Sequence, residues 1–438
     1  MVLHSIYDIN EKGHLTVSGL DSTELAKEYG TPLYLLDTDH VRKMCRTYKE
    51  AMEESFGSDS KPVYAGKALC YSGIYKIIKD EGLYADCVSS GELYIATKAG
   101  FDPEHIFFHG NNKTDEDLRY AAVLGIGHIV VDGDDELDAL EAIASNLGTN
   151  VHIILRITPG IDPHTHKKII TGNVDSKFGT AIKTGQAKEI VKKTLSKKHI
   201  VLDGLHCHIG SQIFETEPFV DALVIMIKFM SELKKDLGYE TSLLNLGGGF
   251  GVRYTEKDPV IDYTANIEKL GEELSRLCLL YDVRKPVIYM EPGRSIVAAA
   301  GATLYTCGTV KEIPGFRNYV SVDGGMTDDP RYTLYQSEYT IVNATKAGEE
   351  ADFECTISGR CCESGDLLAE NIKIRKPSRG DIIATLVTGA YNYSMASNYN
   401  MIPRAPLVEI SRGKANLAVR RETFEDLISR DADPTKKG

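Results

Sequence analysis

Lys67 is the residue of this chain with the most distinctive potential chemistry, because it ends a short apolar run that starts at Pro62. A lysine at a strand end can face inward, and burial lowers the pKa of an amine because it penalises the charged form. A neutral amine can form a Schiff base with an aldehyde or ketone. Lys67 is therefore a candidate anchor for a carbonyl compound, although most lysines at strand ends are solvated.

A glycine-rich segment, Gly247–Gly251, follows another apolar run. Bare backbone N–H groups in such a loop can cradle a phosphate, and a tight turn is the alternative. Val252 stands where a dinucleotide-binding fingerprint has its last glycine, and no Lys-Ser or Lys-Thr follows as in a nucleotide P-loop. Together with Ser211 and Arg294, which end neighbouring strands, the loop favours a phosphate monoester.

His206 and His208 lie two residues apart on a predicted strand and share one of its faces. A metal site that also uses His164 and His166 is the alternative, but no carboxylate or cysteine completes a ligand spacing, so we predict no metal. A histidine ring facing an aromatic ligand is the preferred interpretation. Glu291 could pair with a ring nitrogen of that ligand and keep it protonated. Lysine, phosphate loop, histidine and carboxylate together describe pyridoxal 5'-phosphate.

Eight short apolar runs, alternating with helical patterns, must position these side chains. The predicted strands are Pro62–Lys67, Leu83–Val88, Ile106–His109, His128–Asp132, His152–Thr158, Leu202–His208, Leu243–Leu246 and Val287–Glu291. Seven helical segments, such as Asp135–Leu147, lie between them. Strict alternation implies parallel strands, and eight of them indicate a closed (β/α)8 barrel, with an open doubly wound sheet as the alternative.

The polar residues fall where such a barrel carries its active site, at the C-terminal ends of the strands. The residues in question are Lys67, Asp86, His109, Arg156, His206, the glycine loop and Glu291. One such placement would mean little. Seven in one chain favour an active site at this end of the barrel.

After Gly301 the pattern changes to short strands separated by turn residues, which predicts a second, mostly β domain. The strands are Thr303–Val310, Asn318–Val322, Tyr339–Val342, Phe353–Ile357 and Asp381–Val387. We predict four segments: N-terminal strands joining the β domain in 1–34, the cofactor-binding barrel in 35–285, the β domain in 286–420 and a tail in 421–438.

Composition excludes several classes of protein. The net charge of −13 opposes binding to nucleic acid. The chain has neither a leader-like start nor a run approaching about 18 apolar residues, so we expect a cytoplasmic protein without a membrane partner. The nine cysteines include no Cys-x-x-Cys spacing, which argues against a disulfide framework. Cys361 and Cys362 are adjacent, and we expect at least one to stay accessible for proton transfer.

Eleven short motifs carry a resemblance that runs from about residue 30 to residue 410. They are Tyr64–Ala68, Ser89–Leu93, His109–Lys113, Asp162–His166, Ser176–Gly179, His208–Ser211, Gly247–Gly249, Glu291–Arg294, Asp323–Met326, Cys362–Asp366 and Gly389–Tyr391. Together they resemble the fold-type III pyridoxal phosphate enzymes, the group of ornithine decarboxylase and alanine racemase. Asp-Pro-His-Thr-His and Cys-Glu-Ser-Gly-Asp in one chain are similar to the diaminopimelate decarboxylase family.

The resemblance implies that Lys67 holds pyridoxal 5'-phosphate as a Schiff base, that His208 stacks on its ring and that Glu291 pairs with the ring nitrogen. The phosphate would contact Ser211, Gly248, Gly249, Arg294 and Tyr391, and Asp86 and Gly293 would complete the cofactor site. Three departures from the family pattern, at Leu69, Cys87 and Ser90, leave these reactive groups intact and put only fine pocket geometry in doubt.

For the substrate, the resemblance implies contacts from Arg294, Arg331, Tyr335, Glu363 and Tyr391. A guanidinium suits a carboxylate and a glutamate suits an ammonium group. Members of this family are homodimers with shared active sites. The resemblance therefore implies that Cys362 and Glu363 of the partner subunit complete each site, with Cys362 as the proton donor.

The reaction implied is decarboxylation of meso-2,6-diaminopimelate to L-lysine and CO2, the last step of lysine biosynthesis. Within the same enzyme class, the alternative is a relative acting on D-lysine, D-ornithine or carboxynorspermidine. Outside it, the alternative is a catalytically inactive regulator, which the presence of Lys67, Glu291 and Cys362 disfavours.

Overall fold

The computed structural model describes residues 4–161 and 175–432. They divide into two units, a barrel unit of Arg42–Val252 and Pro259–Ile296, and a β unit of the chain up to Val41, Arg253–Asp258 and the chain from Val297 onward. The motif Asp162–His166, with both of its histidines, lies outside the described residues. Within the described ranges, no helix has the length and apolarity needed to cross a bilayer. The cytoplasmic location stays a prediction.

The barrel unit is built on eight parallel strands. They are Lys61–Ala65, Tyr84–Cys87, Ile106–Phe108, His128–Val131, Val151–Thr158, Ile200–His206, Leu243–Asn245 and Val287–Met290, with Thr180–Ala181 added beside the fifth. The eighth strand pairs with the first, Tyr289 opposite Lys61, so the sheet closes on itself. The predicted (β/α)8 barrel is confirmed, and the open doubly wound sheet is wrong.

Helices alternate with these strands. They are Thr38–Phe56, Ser72–Asp80, Ser90–Lys98, Asp115–Leu124, Asp134–Leu147, Gln186–Leu195, Glu217–Leu237, Tyr263–Leu280 and Arg294–Val297. In Asp134–Leu147, the side chains of Leu137, Leu140 and Ala144 fall on one buried face, as the apolar spacing predicts. Gly148 ends this helix at φ +66°, a left-handed conformation that glycine adopts without strain.

The barrel interior is packed with apolar side chains from six of the strands. The cluster comprises Val63, Phe107, Val130, Ile154, Leu243 and Tyr289. Burial of each such side chain contributes roughly 1.5–3 kcal/mol relative to exposure. Every member precedes the last residue of its strand, so the packed interior leaves the C-terminal strand ends to polar residues.

The β unit confirms the predicted second domain and adds strands that the sequence did not indicate. Its main strands are Leu33–Asp37, Gly301–Glu312, Asn318–Val322, Ile341–Asn343, Phe353–Ser358, Leu367–Ile374, Ile382–Leu386, Leu407–Ser411 and Lys414–Val419. Tyr7–Ile9, Leu15–Val17 and Leu20–Asp21 form a separate small sheet, and the helices are Ser22–Tyr29, Arg331–Tyr335 and Phe424–Ile428.

Two features of the structure bear on the predicted segments. Both Leu15–Val17 and Leu33–Asp37 belong to the β unit, where Leu33–Asp37 lies in the main sheet between Gly301–Glu312 and Leu407–Ser411 and Leu15–Val17 lies in the small sheet. The strand Val287–Met290 lies in the barrel sheet although it begins two residues beyond the predicted end of the barrel segment at 285. The segment boundaries themselves stay predictions.

Lys113, in the His109–Lys113 motif, forms a buried ion pair that should be important for barrel stability. Its side chain is 1% exposed, and Nζ donates to Glu136 Oε1 at 2.7 Å and to the carbonyls of Gly110 and Val130. We expect Lys113→Met to lower the free energy of unfolding by about 3–5 kcal/mol, because Glu136 is left buried without its cation. Urea denaturation followed by circular dichroism measures this loss.

Lys61→Met is the matched control, since Lys61 pairs with Glu53 at the same 2.7 Å distance but both side chains are partly exposed. We expect that replacement to cost at most about 1 kcal/mol. The double replacement Lys113→Met with Glu136→Leu should recover most of the loss, because neither charge then remains buried. An equal cost for the two single variants would contradict the ion-pair explanation.

Candidate active site

Lys67 lies just beyond the first barrel strand, in the single 3-10 turn Gly66–Ala68. The strand itself ends at Ala65, two residues earlier than predicted. The lysine side chain is exposed, so the expectation of a desolvated amine is wrong for the structure as described. Its positive charge is nevertheless close enough to offset part of the rise that burial causes in the pKa of Asp86 and to add to the lowering that burial causes in the pKa of His208. Lys67 is thus an accessible amine among the strand-end side chains.

Glu291 directly follows the eighth strand and is held by three side chains from other strands. His109 Nε2 lies 2.8 Å from Oε1, Asn245 Nδ2 donates to the same oxygen at 2.7 Å, and His206 Nε2 lies 3.2 Å from Oε2. Burial alone would raise the pKa of Glu291, but His109 and His206 outweigh it and hold the pKa well below its usual range. The carboxylate is therefore ionised at neutral pH.

In this arrangement His206 contacts Glu291. The sequence analysis had instead grouped His206 with His208. Burial lowers the pKa of His206 to about 4, so its ring is neutral at neutral pH. The ligand atoms of His109, His206 and Glu291 lie within 4.8 Å of one another, close enough to hold a metal. Their contacts with one another account for the arrangement without one, and the absence of a metal stays a prediction.

The sequence analysis did not identify the three residues that contact Glu291 as its neighbours. His109 was named for its position at a strand end and in a motif, His206 was grouped with His208, and Asn245 was not named at all. Asn245, fully buried near the end of the seventh strand, also accepts the Gly247 N–H on Oδ1 at 2.8 Å. A fully buried amide in an apolar strand was the available signal, because such a group requires polar partners.

Asp86, at the end of the second strand, presents an unsatisfied acceptor. The residue is 3% exposed, and Oδ1 has no hydrogen-bond partner among the described residues. His109 Nε2 lies 3.9 Å from this oxygen. Burial raises the pKa of Asp86, and His109 offsets part of that rise. Buried acceptors without partners are rare in native proteins, which indicates that a ligand completes this one.

His208, two residues past the sixth strand, is placed by the glycine loop. Gly247 has φ +67°, and a Cβ there would lie 2.9 Å from His208 Nδ1, so only glycine lets the backbone approach the ring this closely. Burial lowers the pKa of His208 well below 6.5, and the positive charges of Lys67 and Arg156 lower it further. The ring is consequently neutral and lies next to a bare backbone, which suits a stacking partner for an aromatic ligand.

Four of the five predicted phosphate contacts, Ser211, Gly248, Gly249 and Arg294, lie close together in the barrel unit, and the fifth, Tyr391, belongs to the β unit. Arg294 Nη2 donates to Ser211 Oγ at 3.0 Å. A Cβ on Gly248 would overlap the carbonyl of Glu291, and Gly249 has φ +136°, so both positions require glycine. Within the described residues, the N–H groups of Gly248 and Gly249 donate to no protein acceptor. Two free N–H groups beside a guanidinium and a hydroxyl form a cradle suited to a phosphate.

Gly293 keeps the loop after the eighth strand close to the first strand. A Cβ at this position would lie 2.8 Å from the Cβ of Ala65, which is too close for two carbon atoms. Glycine therefore allows the segment with Glu291 and Arg294 to pack against the segment that leads to Lys67.

In the β unit, three of the predicted substrate contacts cluster around one guanidinium. The Arg331 guanidinium lies 4.9 Å from the ring centroid of Tyr335 and 5.3 Å from that of Tyr391. Both distances fit cation–π contacts, which hold a planar guanidinium in a defined direction. Asp329 accepts the backbone N–H of Arg331 at 3.4 Å. This group can present a fixed positive charge to a carboxylate.

Cys362 and Glu363 lie between the strands Phe353–Ser358 and Leu367–Ile374, and both side chains are exposed. Exposure of Cys362 agrees with the expectation that one of the paired cysteines stays accessible, and Cys361 is half-buried. Glu363 Oε1 accepts the Gly365 N–H at 3.3 Å. The two residues are therefore presented side by side on the surface of the β unit.

Comparison with known proteins identifies the class. A family model described as pyridoxal-dependent decarboxylase, pyridoxal binding domain, matches residues 38–298, so the chain belongs to the pyridoxal-dependent decarboxylases. Diaminopimelate decarboxylase of Bacillus subtilis (strain 168) is 45% identical over 438 residues, covering 100% of this chain and 99% of the relative. That of Bacillus methanolicus is 44% identical, covering 96% of this chain and 98% of the relative. The chain is a member of the diaminopimelate decarboxylase family.

Solved structures agree with this assignment. Diaminopimelate decarboxylase from M. jannaschii in co-complex with L-lysine is 34% identical, with a TM-score of 0.90 and coverage of 99% of each chain. The Helicobacter pylori enzyme complexed with L-lysine is 32% identical, with a TM-score of 0.84 and coverage of 93% of this chain and 98% of that one.

Proposed function

We propose that this chain uses pyridoxal 5'-phosphate to decarboxylate meso-2,6-diaminopimelate, giving L-lysine and CO2. The ionised Glu291 carboxylate, held by three side chains at the barrel's strand ends, is the observation that carries the cofactor assignment. A fixed anion favours a protonated pyridine nitrogen. The 45% identity to a diaminopimelate decarboxylase over the full chain supports the substrate.

The residues of the barrel unit fit this cofactor. Lys67 offers an accessible amine for the aldehyde. Among the described residues, Glu291 Oε2 has one contact, with His206, which leaves a lone pair for a ring N–H. Neutral His208 suits the ring face, and unsatisfied Asp86 Oδ1 suits a polar substituent. Ser211, Gly248, Gly249 and Arg294 suit the phosphate, joined in our proposal by Gly293 and, from the β unit, Tyr391.

When bound, pyridoxal 5'-phosphate supplies an electron sink for the pair that departing CO2 leaves behind. Glu291 keeps a proton on the ring nitrogen, because an ionised carboxylate stabilises the adjacent cation. Cys362 donates a proton to the carbon that has lost CO2, and its thiol regains one from water. Because His208 stays neutral, it does not compete with the pyridine ring of the cofactor for the proton.

For the substrate, we assign Arg331, Tyr335 and Tyr391, together with Arg294, to its carboxylate, and Glu363 to its distal ammonium group. Arg331 is the fixed member of this set, held between two aromatic rings. We further propose a homodimer with shared active sites, in which Cys362 and Glu363 of the partner subunit complete each site. Their exposure in a single chain supports this part of the proposal.

A CO2-release assay of the purified protein tests the substrate assignment. We expect meso-diaminopimelate to exceed L-lysine, L-ornithine, D-lysine, D-ornithine and carboxynorspermidine by at least about 10²-fold in kcat/KM, because a lost charged contact leaves a polar group of the site unpaired. Faster release from D-lysine or D-ornithine would favour a related decarboxylase. Release from none of these compounds would favour the inactive regulator.

A further inference from the structure

The loop that carries Cys362 is held by a residue far along the chain. The Cys362 N–H donates to Asn400 Oδ1 at 2.8 Å, across 38 residues. Asn400 has φ +53°, in the left-handed region that asparagine tolerates better than most residues. Asparagine thus supplies at one position both the acceptor and the backbone conformation that aims it.

The base of the same loop is held by Asp366, which is 3% exposed. Its Oδ2 accepts the Cys361 N–H at 2.7 Å, and its Oδ1 accepts the Met326 N–H at 2.6 Å. A Cβ on Gly325 or Gly359 would overlap this carboxylate, so both neighbouring segments need glycine. This contact explains one glycine of the Asp323–Met326 motif, Gly325, and also Gly359 in the segment before Cys361.

Two consecutive peptide N–H groups of the loop, those of Cys361 and Cys362, are therefore each held by a side-chain acceptor. The Asn400 contact holds the peptide that joins Cys361 to Cys362, and with it the position of the Cys362 Cα, while Cys362 stays exposed. A proton donor needs such a fixed position, because displacement by about 1 Å can cost on the order of 10²-fold in rate. An exposed side chain has no surrounding core to provide it.

We propose that Asn400 is a positioning residue for Cys362, in a loop that Asp366 also holds at the preceding residue, Cys361. The catalytic consequence rests on the proposed function, in which the Cys362 thiol protonates the carbon that has lost CO2. The mechanical consequence, an anchored backbone at Cys362, does not depend on it. Asn400 sets where the thiol stands and takes no part in the chemistry.

Asn400→Gly tests the proposal, because glycine keeps the left-handed backbone and removes only the acceptor. We expect kcat for CO2 release to fall about 10- to 100-fold while KM changes less than about threefold. In D2O, the deuterium added at the carbon that has lost CO2 should lose its stereospecificity, which NMR of the lysine product detects. Asn400→Asp keeps an acceptor oxygen and should preserve the stereospecificity.

The matched control is Asn371→Gly, since Asn371 is also an exposed asparagine of the β unit at φ +53°. We expect no more than about a twofold change in kcat for this variant, with stereospecificity intact. Full stereospecificity in Asn400→Gly, with kcat within twofold of the parent, would overturn the catalytic part of the proposal.

Alkylation of Cys362 by iodoacetamide, located by peptide mass spectrometry, tests the positioning without any turnover. We expect the rate to rise several-fold in Asn400→Gly and to stay unchanged in Asn371→Gly, because the released loop exposes the thiol in more directions. An unchanged rate would overturn the positioning itself. A changed rate with full activity in Cys362→Ala would instead show that Asn400 aims Cys362 while the proposed role of the thiol is wrong.

Discussion

Replacing Lys67 with alanine should lower CO2 release from meso-diaminopimelate by about 10⁴-fold or more. The variant loses the amine that binds the cofactor aldehyde, and no weaker contact substitutes for a covalent bond. The lysine is exposed at the strand ends, so truncation leaves no cavity and the fold should persist. Initial rates of CO2 release, with circular dichroism as a check on folding, measure the effect.

Lys61→Ala is the control, because Lys61 begins the strand that ends just before Lys67 and so lies at the opposite end of the barrel. We expect its activity to stay within about twofold of the parent. Borohydride reduction of the cofactor-loaded protein, followed by peptide mass spectrometry, should place the cofactor on the Lys67 peptide. Full activity of Lys67→Ala would contradict the proposed mechanism.

The second large effect is expected for Glu291→Gln, with kcat reduced by about 10²- to 10³-fold. Polar nitrogens face both carboxylate oxygens, since Asn245 donates to Oε1, His109 Nε2 lies 2.8 Å from the same oxygen, and His206 Nε2 lies 3.2 Å from Oε2. An amide must turn its NH2 group toward one of them, and it carries no negative charge to stabilise a protonated ring nitrogen. The absorbance spectrum of the bound cofactor should change with pH in the variant over a range where the parent stays constant.

His109→Asn gives a graded form of the same test. Because the pKa of Glu291 is depressed, its charge persists as the pH falls and is lost only below that lowered pKa. Removing the His109 imidazole raises the pKa, so the acidic limb of the kcat/KM profile should move to higher pH. A profile identical to the parent's in His109→Asn would show that this histidine does not keep Glu291 ionised.

Most of the fold follows from local patterns in the sequence. Each barrel strand shows as a short apolar run bounded by turn residues, and the strand Asn318–Val322 matches its prediction at both ends. The missed strands lack that local signal. Leu367–Ile374 is broken at Asn371, which has φ +53°, and most residues of Lys414–Val419 are exposed. Leu407–Ser411 is stabilised by Leu33–Asp37, a partner more than 300 residues away.

The features of the site also fall into two groups, those that the local sequence identifies and those that depend on long-range contacts. Residue type and position at a strand end were enough to name Lys67, Asp86, His208 and Glu291. They were not enough to show the surroundings of Glu291, since Asn245 and His206 are 46 and 85 residues away in sequence. Nor could they show that Arg331 stacks between Tyr335 and Tyr391, a contact that depends on packing within the β unit.

The amino-acid sequence specifies which side chains are available for the chemistry and the order in which the barrel strands present them. The states of those side chains come from the folded chain: Glu291 is ionised between two histidines, His208 is neutral next to Gly247, and Lys67 is exposed rather than desolvated. The difference arises because a strand's apolar pattern is a local property. A pKa or an aimed hydrogen bond depends on burial and charges that come together only when the barrel closes.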